Sequence, residues 1–211
     1  MFIAAPSPSA ASASSAVYSL KGALHTHTTK SDGKLTPLEL LRVYRDLGFD
    51  FIALTDHDFL KRPNAYVDVP DEFEGMLVFK GEEKTVFARG YLHVNIIPGD
   101  TETLRVFNHP AEYGFSVPRL LERLDEVRAM MTIDAIEVSE KGFYTPEYDR
   151  EDIPLPKVVS DDAHTREMCG RAWIELPAPR EKDAILRAIK AGQAVCRYRA
   201  VAHQGTRGGT P

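Results

Sequence analysis

The fold class is decided by one stretch, SLKGALHTHTTKSDGKLTPLELLRVYRDLGFDFIALTDHD (19–58). Both of its ends are largely apolar before they reach histidine, which is the pattern of a buried strand with a polar end. Its middle predicts a helix over 36–48, with Thr36 as the N-cap, Pro37 in the first turn and Gly48 just past the end. Strand, helix and strand in succession indicate an α/β fold.

The alternation continues along the rest of the chain. Further helices are predicted over 117–131 and 181–191, where apolar residues recur at helical spacing. Further strands are predicted in GMLVFKGEE, YLHVNII, TLRVFNHP, DAIEVSE, PKVVSDD and RAWIEL. This order predicts an α/β domain with a largely parallel sheet.

Composition bounds the class of protein. The chain has 211 residues, of which 43% are hydrophobic and 27% charged, and this is ordinary for one globular domain. We predict that domain over 18–200, between flexible tails at 1–17 and 201–211. Cys169 and Cys196 form no CxxC or CxxH pair, so we expect ordinary thiols in a reduced compartment.

Charge and hydropathy exclude several partners. A net charge of −5 gives no basis for stable binding of a nucleic-acid duplex, although a short nucleotide or a phosphorylated metabolite is compatible with it. No apolar run approaches the ~20 residues of a membrane-spanning helix. The N-terminal tail lacks the basic region of a signal peptide, so a cytoplasmic location is favoured over export.

Histidines mark the predicted strand ends. Six of the seven lie in or just after a predicted strand, usually beside a carboxylate: His25, His27, His57, His93, His109 and His164. One such histidine is most often a surface or hydrogen-bonded residue. Six of them predict a shared site, because functional side chains in α/β folds gather where strands end. Imidazole and carboxylate ligands suit Zn, Mn, Fe and Co, and several carboxylates favour more than one cation.

The ordered motifs of this chain resemble those of the PHP (polymerase and histidinol phosphatase) metallohydrolase family. The motifs are LHTHTTKSDG (24–33), TDHD (55–58), GEE (81–83), YLHVN (91–95), NHP (108–110) and SDDAH (160–164). Within the family the chain is most similar to the compact stand-alone branch with carbaryl-hydrolase-like (CehA/McbA-like) metallohydrolases. The resemblance implies a compact version of the PHP fold, a distorted (β/α)7-type barrel.

The resemblance also implies a ligand set for two or three divalent ions of Mn, Fe or Zn. Two motifs contain adjacent acids that compete for one role. The family pattern selects Glu83 over Glu82 as the residue that bridges two metals, and the D-x-H spacing selects Asp162 over Asp161. The nine implied ligands are His25, His27, Asp32, His57, Glu83, His93, His109, Asp162 and His164.

The chemistry implied by the resemblance is hydrolysis of a small anionic phosphoester, or a short nucleotide, by a hydroxide that bridges the metals. Glu83, Asp162 and His164 are the expected catalytic residues. Two alternatives stay open: hydrolysis of a carbamate, ester or amide at the same site, and a non-catalytic metal-binding module. The oligomeric state is not predicted.

Other polar residues are candidates for supporting roles. Asp56 and Asp58 are expected to orient ligands through hydrogen bonds, although Asp58 is equally suited to cap the segment that follows. Glu137, at a strand end, is a candidate for approaching the site, with a structural hydrogen bond as the favoured alternative. Three residues are candidates for contacting the substrate, each with an ordinary surface role as the alternative: Arg171, Arg89 and Tyr144.

Overall fold

The structure is a computed structural model that describes residues 18–199. The predicted tails at 1–17 and 201–211 lie outside the described residues. The described range contains three helices: α1 (Pro37–Asp46), α2 (Val117–Arg128) and α3 (Lys182–Lys190). It contains thirteen strands: β1 (Tyr18–Ala23), β2 (Phe51–Leu54), β3 (Glu72–Phe73), β4 (Met76–Lys80), β5 (Glu82–Phe87), β6 (Tyr91–Pro98), β7 (Thr103–Phe107), β8 (Ala135–Glu137), β9 (Ser139–Glu140), β10 (Phe143–Tyr144), β11 (Lys157–Val158), β12 (Ala172–Ala178) and β13 (Val195–Tyr198).

The predicted helices are confirmed, and α1 begins where its sequence signal lies. The Thr36 side chain accepts a hydrogen bond from the backbone N–H of Glu39, whose side chain accepts one from the backbone N–H of Thr36. This reciprocal capping box satisfies two N–H groups that the first turn leaves free. Gly48 follows the helix with φ of 74°, a left-handed conformation that glycine adopts without strain.

The strands form two main sheets and a small hairpin. The first sheet has the order β13-β12-β1-β2-β4-β3 and the second β11-β8-β7-β6-β5. In the first, β1, β2 and β4 are parallel, and in the second, β7, β8 and β11 are parallel. The expectation of a largely parallel arrangement is wrong for the other strand pairs of both sheets, which are antiparallel. Strands β5, β6 and β7 form an antiparallel meander, because links of a few residues turn the chain back and leave no room for a crossover helix.

Two isolated bridges join the sheets at one end of the molecule. Thr26 pairs with Ala163, and His57 pairs with Glu83. Thr26, His57 and Ala163 follow the carboxyl ends of the parallel strands β1, β2 and β11, and Glu83 is the second residue of β5, so polar segments of both sheets meet here. The α/β class is confirmed. Closure into a (β/α)7-type barrel stays a prediction, because continuous strand pairing stops at these bridges.

The apolar core holds this end in place. Its larger cluster contains Phe51 and Phe79 from the first sheet and Phe107 and Ile136 from the second, all fully buried. Burying each aromatic side chain stabilises the fold by roughly 1.5–3 kcal/mol, so this cluster holds the two sheets against each other. No helix in the described range is long and apolar enough to span a membrane.

Candidate metal centre

All nine residues implied by the family resemblance lie together where the two sheets meet. They form four overlapping groups whose candidate ligand atoms lie within 4.8 Å of one another, and no other His, Cys, Asp or Glu of the described range belongs to these groups. The groups are His27–Asp32–His57–His164, His25–Glu83–His109, His25–His27–Asp162 and His57–Glu83–His93. Six separate chain segments therefore converge on one polar cluster.

The H-x-H pair after β1 turns both rings to the same side, as extended backbone requires. The Nε2 atoms of His25 and His27 are 3.0 Å apart. Thr26, between them, points away and donates a hydrogen bond from Oγ1 to the carbonyl of Ala53 at 2.8 Å. Two ring nitrogens this close need a proton or a cation between them, since two lone pairs or two N–H groups repel.

Asp56 orders the loop that follows this pair. Its carboxylate accepts hydrogen bonds from the backbone N–H and the hydroxyl of Thr28, both at 2.7 Å. Gly33 closes the loop, since a Cβ there would lie 2.4 Å from the carbonyl oxygen of His27. Folded in this way, the loop brings Asp32 Oδ1 to 3.5 Å from His27 Nδ1. Asp56 thus acts on the cluster through the loop.

Glu83 is the centre of the cluster. Strand alternation turns it inward with 1% exposure, whereas its neighbour Glu82 pairs with Lys61 at 3.3 Å on the other side. Burial by itself would raise the pKa of Glu83, but the surrounding imidazoles hold it well below its usual range. Its carboxylate oxygens lie 2.9–3.4 Å from ring nitrogens of five residues: His25, His27, His57, His93 and His109.

The two acids of SDDAH point in opposite directions. Asp162 Oδ1 lies 3.3 Å from His25 Nε2 and 3.2 Å from His27 Nε2. Asp161 instead accepts the hydroxyl hydrogen of Tyr44, 2.8 Å from both of its oxygens, and burial raises its pKa to about 7. Asp162 therefore faces the imidazoles, while Asp161 ties the segment to α1.

Several buried atoms of the cluster lack hydrogen bonds. His57 Nδ1, for example, lies 2.9 Å from Glu83 Oε2 but without hydrogen-bond alignment. Buried polar atoms are normally paired, so atoms that converge without bonding one another fit a shared cation. The donors are nitrogen and oxygen with no thiolate, a set that suits Zn, Mn or Fe. Three such unpaired atoms face the cluster: His57 Nδ1, His93 Nδ1 and Asp162 Oδ1.

The electrostatics of the cluster favour added positive charge. Burial lowers the pKa of His109, but Glu112 and Glu83 outweigh it and raise that pKa to about 10. Burial likewise opposes charge on His25, yet Asp162 and Glu83 raise its pKa well above the usual value. Buried carboxylates therefore stabilise cations here, whether these are protons on imidazoles or metal ions.

Glu137, the last residue of β8, contacts the cluster through His25 and His109. Its carboxylate lies 3.3 Å from His25 Nδ1 and accepts hydrogen bonds from the backbone N–H of His109 at 3.1 Å and from Ser139 Oγ at 3.1 Å. Because the Glu137 carboxylate accepts a hydrogen bond from Nδ1–H of His25, the Nε2 lone pair faces the cluster. His109 and Asp162 have positive φ angles of 27° and 44°, and such strain in non-glycine residues is typical of functional sites.

Two supporting residues were not anticipated from the sequence. Asn108 donates from Nδ2 to Glu83 Oε1 at 2.8 Å, and its place in the NHP motif is the only sequence signal for it. Glu112 lies 2.9 Å from His109 Nδ1, three residues along the chain. Asp58 does not cap the following segment: it accepts a hydrogen bond from the backbone N–H of Thr85 at 3.1 Å and so fixes β5.

The three candidate substrate residues contact other groups. Arg89 pairs with Glu126 of α2 at 2.9 Å. Tyr144 donates its hydroxyl hydrogen to Asp149 at 2.8 Å. Arg171 lies over the ring of Phe143, 5.7 Å from its centroid. Within the described range none of them contacts the nine clustered residues, and their role in substrate binding stays a prediction.

The cluster is open on one side. His25, His27 and Glu83 are each 1% exposed. In contrast, the side chain of Asp32 is 44% exposed and that of His164 24% exposed. Solvent therefore reaches the cluster past Asp32 and His164.

Part of this chain matches a known family model. Residues 151–194, which include Asp162 and His164, match a family model described as PHP-associated. A comparison with curated proteins finds no match. The family match covers 44 of the 211 residues, and it agrees with the family that the sequence motifs resemble.

Three solved structures share the fold at low sequence identity. One is a two-domain protein from Bacteroides vulgatus containing a predicted PHP-like metal-dependent phosphoesterase, at 20% identity and a TM-score of 0.62; the alignment covers 86% of this chain and 65% of that one. PsfC from Pseudomonas syringae aligns at 14% identity and a TM-score of 0.59, covering 86% and 92%. An amidohydrolase from Chromobacterium violaceum, with bound sulfate and no metal, aligns at 17% identity and a TM-score of 0.56, covering 82% and 97%. This chain thus spans just under two thirds of the first protein.

Proposed function

We propose that this protein is a metal-dependent hydrolase and that its reaction is phosphoester hydrolysis at a site for two or three divalent ions. The observation that carries the proposal is the convergence of nine nitrogen and oxygen ligands in four overlapping groups. A single tetrahedral ion needs three or four ligands, so nine are in excess for one ion. The bridges between the sheets are consistent with the distorted barrel that the family resemblance implies.

The chain supplies three sets of ligands around shared residues. His25, His27 and Asp162 form one set, and Asp32, His57 and His164 a second. The third gathers on Glu83 Oε1, where ring nitrogens of His93 and His109 lie at 3.2 and 3.1 Å. Glu83 also lies within 3.4 Å of His25, His27 and His57, so neighbouring ions would share it.

Bound divalent ions would supply Lewis acidity, lowering the pKa of water and neutralising charge on a phosphoryl group. The protein fixes which ring nitrogens are available for this. His164 Nδ1 donates to the carbonyl of Asp162 at 2.9 Å, so its Nε2 carries the lone pair and faces Asp32 Oδ2 at 3.4 Å. Glu137 fixes His25 in the same sense.

A phosphoester is favoured over a carbonyl substrate by charge. The buried carboxylates and imidazoles assemble a site for several cations, and such a site stabilises an anion that gains charge on its non-bridging oxygens. Hydrolysis of a carbamate, ester or amide is the second candidate, because one structure with this fold is named an amidohydrolase. Both reactions use the same ligands.

The test is a substrate panel on metal-loaded protein, containing a phosphomonoester, a phosphodiester and an aryl carbamate. We expect metal-dependent hydrolysis of a phosphoester, lost in Asp162→Asn and retained in the matched variant Asp161→Asn, whose side chain bonds Tyr44 instead. Turnover of the carbamate alone would establish the second candidate. Tight metal binding with no turnover of any substrate would indicate a non-catalytic module.

A further inference from the structure

Phe59 lies at the open side of the metal centre, two residues after His57. The centroids of the two rings are 5.3 Å apart, and Phe59 is 65% exposed. His57 is itself a candidate ligand, shared by two of the four groups. Phe59 therefore presents an exposed aromatic ring directly beside a candidate metal ligand.

The backbone around Phe59 is anchored on both sides. The N–H of Asp58 donates to the carbonyl of Glu83 at 2.9 Å. The backbone N–H of Lys61 donates to the carbonyl of His57 at 2.9 Å. An exposed ring on a fixed backbone is preorganised for stacking, because little conformational freedom is lost when a ligand binds.

Exposure alone does not distinguish this ring, since single exposed apolar side chains are common on protein surfaces. Phe87 is 66% exposed, but its ring packs 5.5 Å from that of Tyr91, its cross-strand partner on the β5–β6 hairpin. What distinguishes Phe59 is its position against a candidate metal ligand. Phe87 is a matched control, equal in size and exposure.

Building on the proposed phosphoesterase function, we propose that Phe59 determines specificity by stacking on an aromatic ring in the leaving group of the substrate. Because Phe59 lies directly beside His57, the substrate class is an aryl phosphoester, whose ring is attached through the ester oxygen. In hydrolysis, the bond between phosphorus and the aryl oxygen breaks, a bond from the oxygen of water to phosphorus forms, and the aryl oxygen leaves with a proton from that water.

The experiment compares kcat/KM for phenyl phosphate with kcat/KM for methyl phosphate. In Phe59→Ala the phenyl-to-methyl ratio is expected to fall about 3- to 10-fold, the usual loss for one aromatic stacking contact. Phe59→Trp keeps a stacking surface and is expected to retain the ratio, and Phe87→Ala is expected to leave it unchanged. An unchanged ratio in Phe59→Ala, or an equal fall in Phe87→Ala, overturns the proposal.

Two further arms separate the possible failures. Adenosine 5′-monophosphate places its ring beyond a ribose, so a loss in Phe59→Ala for this ester but not for phenyl phosphate overturns the aryl class. If the wild-type protein hydrolyses no phosphoester, the proposed function fails, and binding of phenylphosphonate against methylphosphonate to metal-loaded protein then tests Phe59 alone. Weaker binding of phenylphosphonate only, in Phe59→Ala, supports the stacking contact, and equal binding overturns it.

Discussion

Two regions of this molecule are rich in ionisable side chains, and they use them differently. One is the candidate metal centre. The other is an outer groove of about 700 Å³ between β4 and α3, lined by Asp71, Lys80, Asp100, Lys182 and Asp183 among others. In the groove, Asp183 and Asp71 each have hydrogen-bonded or ion-paired partners. Asp183 accepts hydrogen bonds from the backbone N–H groups of Asp100 at 2.8 Å and Glu102 at 3.1 Å, and Asp71 pairs with Lys80 and Lys182, both at 3.2 Å.

In the candidate metal centre, several ionisable atoms converge without hydrogen bonding one another. His57 Nδ1, His93 Nδ1 and Asp162 Oδ1 are buried without hydrogen bonds, although carboxylates and imidazoles surround them. The density of charged residues alone therefore does not identify a functional site. Unpaired donor atoms aimed at a common point are the better marker, because a fold leaves them so only where something else completes the pairing.

The largest expected effect belongs to Glu83→Gln. An amide has one oxygen with weaker donor strength and an NH₂ group that cannot bind a cation, so it cannot bridge two ions. We expect loss of metal and a fall in kcat/KM of about 10³-fold or more, equal to several kcal/mol of transition-state stabilisation. Metal content and steady-state kinetics measure this. Glu82→Gln is the control, and equal effects in both variants would contradict the central role of Glu83.

A smaller effect is expected for Glu137→Gln. The variant replaces the carboxylate that accepts a hydrogen bond from His25 Nδ1 and leaves all nine candidate ligands unchanged. Loss of a carboxylate that orients a ligand typically weakens metal binding about 10- to 100-fold. Titration with Zn²⁺ or Mn²⁺ measures the dissociation constant. Glu140→Gln, on the neighbouring strand β9, is the control, and unaltered affinity in Glu137→Gln would assign that residue to the core alone.

Metal affinity is expected to rise with pH. With Glu112 and Glu83 beside it, His109 has a pKa raised to about 10, so a proton must leave before this ring binds a cation. Affinity should change by about tenfold per pH unit for each proton displaced. Titrations at pH 6, 7 and 8 measure the slope, and a flat profile would show that these imidazoles are not ligands.

The metal-free protein is expected to respond in the opposite direction. A histidine with a raised pKa in the folded state contributes stability that is complete below its unfolded pKa of ~6.5. For His109 this contribution is lost as pH rises toward its folded pKa of about 10. The Tm of metal-free protein should therefore fall between pH 6.5 and 10, whereas excess metal should reduce or reverse that fall.

The smallest effect on the site is expected for Asp183→Ala in the outer groove. The substitution frees the backbone N–H groups of the β6–β7 turn, so a measurable fall in Tm is expected. Metal content and kcat/KM should equal those of the wild-type protein. Loss of metal in this variant, with the fold intact by circular dichroism, would show that the groove affects metal binding and would contradict the prediction.

Much of the fold could be predicted because its signals are local. Thr36, Pro37 and Gly48 specify the bounds of α1 through backbone geometry within a few residues. The antiparallel meander of β5, β6 and β7 was not predicted, since the strands looked like those of a parallel sheet. Only the shortness of their links, such as the turn around Gly90, could have indicated hairpins.

The candidate site could likewise be predicted only in part. Strand alternation and strand ends predict which side chains converge, and His25, His27 and Glu83 do converge. Their supporting partners depend on contacts between distant segments: His25 and Glu137 are 112 residues apart in sequence. Substrate contacts depend on where loops turn, which no pattern in the sequence specifies, and Arg89 accordingly lies against α2.

The number of metal ions bound per chain decides whether Glu83 and its neighbours form a multinuclear site. Purified protein, saturated in turn with Zn²⁺, Mn²⁺ or Fe²⁺ and freed of excess, is analysed for metal per chain by elemental analysis. We predict two or three ions per chain in wild-type protein and fewer in Glu83→Gln. One ion or none at saturation in all three metals, or the same content in Glu83→Gln, would contradict a metal centre bridged by Glu83.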